Sequence, residues 1–543
     1  MNASPPSAAI DPAKLLPTDW SKERDVLLIV GEGASTIAQP FVEFGLERVI
    51  TLYPDGVPSE PGPEKAHVAH SRSDLSSIVN LYPQPHPRRY ATIRTPACSL
   101  PIETTNGIKE LLQNLVKRKR SNQANVERLA PLWAINGTKN LQVLGANPLI
   151  SDIGNAFANV PMIIVGAGPS LEKNIHLLKI AQEKAIILCV NRALRSLKNA
   201  GIVPDLTINL EPQDVAAQFK DVDIENIGGL VLASTSHPPL YNLPARRILS
   251  FCPNQATEGW MFPPSATPHE IASGGSVSCS ALSVALFWQC SPIILVGQDL
   301  SFPGGSYYHA DGADGEAKAI YDEANQQWIL QGYSDDLAHT LADKVDKDGI
   351  RFSGATVPGY FGGTVPTSTD FAAFRAWFES TALDHGHHTP MFNCTEGGAF
   401  IDGMKHVPLS NVLDQLPPKT LDVTQLLKGL PMHNDREHWA TQRRREIIRD
   451  LKQAEELASR LVTLAPRAAR KQGALHQFDQ AQDEIRPILR RLPPVNLMTQ
   501  KGIREAIAES KNARTIKQTM RANQNLYRVV LNACRQLLEA VAD

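Results

Sequence analysis

The residues whose types and spacing suit chemistry gather in three glycine-rich turns and one tyrosine–histidine run. Gly166-Ala167-Gly168-Pro169-Ser170 follows the apolar run Met162–Val165 and precedes an amphipathic stretch carrying Leu171, Ile175 and Leu178. Pro169 suits the first position of a helix, where its missing N–H costs nothing. The amides of Gly168, Ser170 and Leu171 are then expected to face a phosphate, favoured by the helix dipole. The alternative is a tight strand-to-helix turn without a ligand, because a lone GxG is short and common. Ser273-Gly274-Gly275-Ser276 heads an apolar helix from Val277 to Trp288 and forms a second phosphate-competent loop. The third turn is Cys394-Thr395-Glu396-Gly397-Gly398, continuing to Gly403. Its Glu396 suits an acceptor amide or a sugar hydroxyl, or the glycines mark a tight turn only.

Tyr307, Tyr308, His309 and Asp311 follow the strand Ile293–Val296 at short distance. An imidazole titrates near neutral pH, so His309 suits removal of a proton from an acceptor hydroxyl. The plainer reading is an ordinary surface histidine. Asp299, at a strand end, suits orientation of a ribose or acceptor, or caps the turn that follows. Two DxD patterns, Asp221-Val222-Asp223 and Asp346-Lys347-Asp348, do not follow apolar strands and read as chance. His385, His387 and His388 have no carboxylate or cysteine at ligand spacing and read as exposed. No resident metal or cofactor is expected.

The elements that must position these groups alternate in period. Strands are expected at Met162–Val165, Ala185–Val190, Leu206–Leu210, Leu230–Ser234, Arg247–Phe251 and Ile293–Val296, with helical segments between several of them. This predicts an α/β fold built on a Rossmann-like, mostly parallel sheet covered on both faces. Ligands on such sheets sit beyond the carboxyl ends of the strands, where both phosphate-competent loops fall. Residues 303–370 have few long apolar runs and many Gly, Asp and Tyr, as in a lid or binding loop.

At 543 residues the chain predicts several domains. Residues 1–23 read as a flexible arm, and 24–103 as a small Rossmann-like α/β domain whose Gly31-Glu32-Gly33 is a structural turn. Residues 104–160 read as a helical connector containing the basic run Lys117–Arg120. Residues 161–409 form the central domain, and 410–543 a C-terminal helical bundle. From Pro431 onward there are 21 Lys and Arg against 13 Asp and Glu. That excess is a solvated surface or a docking face for a partner protein. The formal charge of −2 argues against nucleic acid, and the apolar runs are too short for a membrane span. Seven cysteines without paired spacing suggest reduced thiols in the cytoplasm.

Six motifs occur in order: IIVGAGPSLEKNI, GIVPDLTINLEP, SGGSVSCSALSVAL, IILVGQDLSFPGGSYYHADG, VPGYFGGTVPTSTDF and NCTEGGAFIDG. Together they resemble the motility-associated factor (Maf) family of flagellin glycosyltransferases over roughly residues 130–410. The core is also similar to bacterial CMP-sialic acid sialyltransferases and to the MptE-like pterin diphosphokinases. The resemblance implies transfer of a nonulosonic acid, of the pseudaminic or legionaminic type, from a CMP-activated donor onto Ser or Thr of flagellin. On the sialyltransferase pattern it implies nucleotide contacts from Gly168-Pro169-Ser170, Asn191 and Ser273–Ser276. Of two tyrosines that hold the leaving phosphate, one matches Tyr307. The other falls on Ser301, so Tyr308 supplies it or the contact is lost. The family's histidine base has no clear match, with His309 and His339 as candidates. The diphosphokinase alternative needs ATP and Mg²⁺, with carboxylates beside the phosphate loop. In sequence only Glu172 is adjacent to that loop. A third alternative is a non-catalytic flagellin-binding accessory factor.

Overall fold

The computed structural model describes residues 10–53, 63–70, 74–75, 78, 90–100, 126–253, 259–264, 266, 271–312, 314–341, 344–431 and 433–542. The chain forms two compact units, Met1–Val126 and Glu127–Asp543.

In the first unit, β1 (Val26–Val30), β2 (Val49–Leu52), β3 (Ala66–Ala69) and β4 (Tyr90–Arg94) make a parallel sheet in the order β3-β2-β1-β4. β1 and β2 are buried throughout, as their unbroken Val, Leu and Ile runs require. A Cβ on Gly31 would meet Cys98 and Thr95, so this glycine serves a close approach of backbone. Of the expected arm 1–23, residues 10–23 are described and carry structure. Asp11 caps a short helix, Pro12–Leu15, and Leu16 is buried against β1 and the helix Ala34–Glu43. The basic run Lys117–Arg120 and residues 104–125 of the expected connector lie outside the described residues.

The second unit is built on eight parallel strands. They are β5 (Met162–Val165), β6 (Ile186–Val190), β7 (Leu206–Asn209), β8 (Gly229–Ala233), β9 (Ile248–Phe251), β10 (Ile293–Val296), β16 (Met391–Asn393) and β17 (Lys405–His406). Their order is β17-β16-β10-β5-β6-β7-β8-β9. The chain runs outward from β5 to β9, then returns to place β10 on the other side of β5. The order therefore reverses between β5 and β10, the topological switch point where ligands bind on sheets of this type. β5 pairs with β10 in register from Met162↔Ile293 to Val165↔Val296.

Between β10 and β16 the chain inserts an antiparallel layer: β11 (Lys318–Asp322), β12 (Gln327–Gln331), β13 (Val345–Asp346), β14 (Gly349–Pro358) and β15 (Thr364–Ser368). This is the stretch expected as an irregular lid. Its strands cover their own small core of Phe302, Tyr307, Trp328, Leu330 and Phe352. Outward positions such as Lys318 and Gln331 interrupt the apolar runs that sequence reading depends on.

The C-terminal helices are Asn434–Ala468, Gln472–Arg490, Pro493–Lys511 and Ile516–Ala542. Pro493-Pro494 opens the third at its first turn, where proline is tolerated. The bundle and the sheet share one apolar core. A Cβ on Gly145 would run into Ala440, and Arg436 clamps Asp152 with both guanidinium nitrogens, at 2.6 and 2.8 Å. Among the described residues, no helix is long and apolar enough to cross a membrane.

Candidate functional site

Three adjacent strands deliver glycine turns to one edge of the sheet. β5 runs into Gly166–Ser170, β10 into Gly297-Gln298-Asp299, and β16 into Cys394–Gly398. The turns interlock at the switch point. Gly166 donates its N–H to Val296 (2.8 Å) and Gly168 to Gly297 (2.9 Å). The Gln298 N–H goes to Thr395 Oγ1 (3.0 Å), and the Ala399 N–H to Asp299 O (2.8 Å). Gly397 lies directly over Ser170, and Gly398 directly over Asp299, with no room for a Cβ at either.

This packing corrects the expectation for the phosphate loop. The amides expected to face an anion all have protein partners. Gly168 bonds Gly297, Leu171 bonds Gly168 O (3.1 Å), and Ser170 donates to the Asp299 carboxylate at 3.2 and 3.1 Å. The expected helix is also short. Pro169–Lys173 and Ile175–Leu177 are 3₁₀ turns, followed by a single α turn at Leu178–Ala181. Little helix dipole is available there.

Asp299 therefore neither caps the turn after it nor faces solvent. It is buried at the loop, brought there from 129 residues away. Burial raises its carboxyl to about 6, with the Ser170 hydrogen bonds and the Lys173 ammonium pulling the other way. Asp299 is a second carboxylate at the glycine loop. Glu172 is therefore not the only carboxylate at this loop, and a shortage of carboxylates there does not weigh against a diphosphokinase.

His309 is not a surface histidine. Its side chain is 2% exposed, and its backbone N–H donates to Ala167 O at 2.9 Å, which ties the start of the inserted layer to the glycine loop. Its Nε2 lies 2.9 Å from Glu172 Oε2, with the two out of line for a good hydrogen bond. Its Nδ1 accepts the Asp311 N–H at 3.3 Å. The Glu172 side chain is 71% exposed. The other candidate base, His339, has its side chain outside the described residues.

Tyr307 lies inside the aromatic cluster, stacked on Phe302 and Phe352. Burial pushes its phenol well above the usual value; Tyr308 adds to the shift and Arg192 opposes it. Tyr308 is more accessible, and the Arg192 guanidinium sits 5.3 Å over its ring. Arg192, which follows Asn191 at the end of β6, pairs with the buried Asp314 at 2.6 Å. Asn191 donates to Gln218 Oε1. Ser301, at the position of the second tyrosine, is buried, and its hydroxyl has no partner among the described residues.

The loop Ser273–Ser276 caps the helix Val277–Phe287, with Ser276 Oγ accepting the Cys279 N–H at 3.2 Å. Gly274 and Gly275 pack against Trp377 and Phe374 of the helix Thr369–His385. No hydrogen bond joins this loop to Gly166–Ser170 among the described residues. Glu396 is used structurally: Oε1 accepts the Leu409 N–H (3.0 Å) at the start of the helix Leu409–Gln415. Asp346 and Asp348 each bond Arg351 at 2.9 Å. His385, His387 and His388 are exposed.

The site thus joins Gly166–Ser170, Asp299, His309, Glu172, Tyr308 and Arg192. Sequence reasoning missed Arg192, and named Glu172 without a role. The available signals were positional: Arg192 follows the singled-out Asn191, and Glu172 lies inside the motif that carries the glycine loop.

Residues 135–305, from the helix before β5 to the segment after Asp299, match the family described as 6-hydroxymethylpterin diphosphokinase MptE-like. The MptE-like side of the sequence resemblance is met over that stretch. An uncharacterized protein of Treponema pallidum (strain Nichols) is 28% identical over 109 residues, covering 20% of this chain and 51% of that protein. The chain thus spans about half the length of this curated relative. Among solved structures, the MAf glycosyltransferase from Magnetospirillum magneticum AMB-1 is similar at a TM-score of 0.44 and 15% identity. That similarity covers 95% of this chain and 78% of that one.

Proposed function

We propose that the chain is a glycosyltransferase that moves a nonulosonic acid from a CMP-activated donor onto Ser or Thr of flagellin. The observation that carries this reading is the His309–Glu172 pair, fixed on the rim of the switch-point loop by the Ala167 carbonyl. Transfer to a hydroxyl needs a proton acceptor within reach of the departing phosphate, and this pair meets that need. Tyr308, next in sequence to His309, and Arg192, whose guanidinium lies 5.3 Å over the Tyr308 ring, suit the charge developing on the phosphate, with Tyr307 packed behind Tyr308 as support. In this reading Gly166, Ala167, Gly168, Pro169, Ser170, Asn191 and Ser273–Ser276 contact the nucleotide. The motif resemblance supplies the donor and acceptor classes. Residues 161–409 carry the chemistry, and 410–543 select the protein acceptor. A cytoplasmic location and the absence of a resident cofactor belong to the same reading.

A second reading is a diphosphokinase acting on a pterin or another small alcohol. It is favoured by the MptE-like match over residues 135–305. Both reactions deprotonate a hydroxyl next to a nucleotide phosphate, so co-substrates separate them. The full-length protein is incubated with flagellin and CMP-pseudaminate or CMP-legionaminate, and separately with hydroxymethylpterin and Mg-ATP. Intact-mass spectrometry of flagellin should show sugar-sized additions that persist after chelation. AMP release with pterin and no flagellin modification would replace the first reading by the second.

A further inference from the structure

We infer that the group accepting the acceptor's proton is the Glu172 carboxylate, and that His309 is the positioning residue behind it. The inference rests on the glycosyltransfer reading and goes one step further, to the reacting atom. His309 is poorly placed to act as base itself. Its ring is buried, and Nδ1 already accepts the Asp311 N–H. That places the ring proton on Nε2, facing Glu172 Oε2 at 2.9 Å. Neither nitrogen presents a free lone pair to solvent. Glu172 has the complementary properties. It is largely exposed, an ionised carboxylate accepts protons at both oxygens, and it sits two residues beyond Ser170 on the turn Pro169–Lys173.

The acceptor O–H bond breaks and its proton goes to a Glu172 oxygen. The acceptor oxygen bonds the anomeric carbon of the sugar, and the bond from that carbon to the phosphate oxygen breaks. CMP leaves with the electron pair. The Nε2–H of His309 faces the carboxylate at 2.9 Å, and the Ala167 carbonyl holds His309.

The test uses full-length protein with CMP-pseudaminate or CMP-legionaminate and flagellin, reading CMP release and flagellin mass. Glu172→Gln should reduce turnover by about 10²–10⁴-fold, as loss of a general base does, with donor affinity retained. Glu172→Ala should regain turnover with added formate, a small carboxylate that replaces the missing group. His309→Gln keeps an N–H donor and should lose far less. Near-wild-type turnover in Glu172→Gln overturns the assignment. So does rescue of His309→Ala by imidazole with no rescue of Glu172→Ala by formate; either result leaves the glycosyltransfer reading standing. Absence of CMP release by the wild-type protein overturns that reading and the base assignment together.

Discussion

Replacing Asp299 with Asn should tighten nucleotide binding at neutral pH. A donor phosphate at the loop and the Asp299 carboxylate compete for the same Ser170 N–H, which the carboxylate now holds at 3.1–3.2 Å. An ionised Asp299 also repels the phosphate in a buried, low-dielectric place. Its neutral form removes both obstacles. With the carboxyl raised to about 6, roughly 3% is neutral at about pH 7.5. If binding selects that form, apparent affinity falls about tenfold for each pH unit above 6, by the population-shift relation. Asparagine is permanently neutral, and like the neutral acid it holds the Ser170 N–H too weakly to compete with a phosphate. Asp299→Asn should therefore bind about 30-fold tighter at about pH 7.5, equal the wild type near pH 5, and show no pH dependence.

The stability change has a fixed sign. A carboxyl raised in the folded state favours folding fully below its ordinary value of 3.8, and that contribution is lost as pH rises through about 6. The loss is on the order of 3 kcal/mol at most, so the variant should melt above the wild type at neutral pH and level with it near pH 4. Calorimetric titration with a CMP-sugar is the assay, because a phosphodiester keeps one charge across this range whereas free CMP titrates within it. Weaker binding by a folded Asp299→Asn protein at every pH would refute the competition and make Asp299 a direct ligand contact.

Tyr308→Phe should slow transfer by about 2–4 kcal/mol in barrier with little change in donor affinity, as loss of a donor to the departing phosphate does. Tyr307→Phe should cost less turnover and show mainly as a lowered melting temperature; equal kinetic losses would return the leaving-group role to Tyr307. Arg436→Ala should destabilise the second unit by up to about 3–5 kcal/mol, because it leaves a carboxylate that is only 9% exposed with the Leu149 N–H and His433 alone. Burial alone would raise the Asp152 carboxyl, but the Arg436 hydrogen bonds and the Leu149 N–H outweigh it and hold the group below 3.8. That stabilisation is present above the usual carboxylate range and lost below it. The gap in melting temperature between Arg436→Ala and wild type should therefore close in acid, and a gap independent of pH would contradict the clamp.

Most of the parallel sheet was legible because both of its faces are buried. Met162–Val165, Ile186–Val190 and Ile293–Val296 are unbroken apolar runs that no exposed strand can imitate. The inserted layer was not legible. Its strands alternate around a small aromatic core, and a run such as Lys318-Ala319-Ile320-Tyr321-Asp322 has its burial set by partners up to tens of residues away. The bundle was read as separate for a related reason. Composition marks a change from mixed to helical sequence, but not that Ala440 fits against Gly145 or that Arg436 reaches Asp152.

The site divides along the same line. The sequence marks where backbone can turn and which side chains can carry protons, so Gly166–Ser170, Asp299 and His309 were all named from it. Whether an amide is free is a property of the finished tertiary structure. Ser170 is committed to Asp299 only because β10 lands beside β5, and His309 is buried only because its own backbone reaches Ala167. A GxG turn read alone has unpaired donors by default, since nothing in its own sequence can pair them. In this chain the strand that defines the switch point also brings a carboxylate to that donor. The signature of an anion site is then indistinguishable in sequence from that of a site closed by its own acid. What separates the two is the charge on Asp299, and a substitution differing by one amide group measures it.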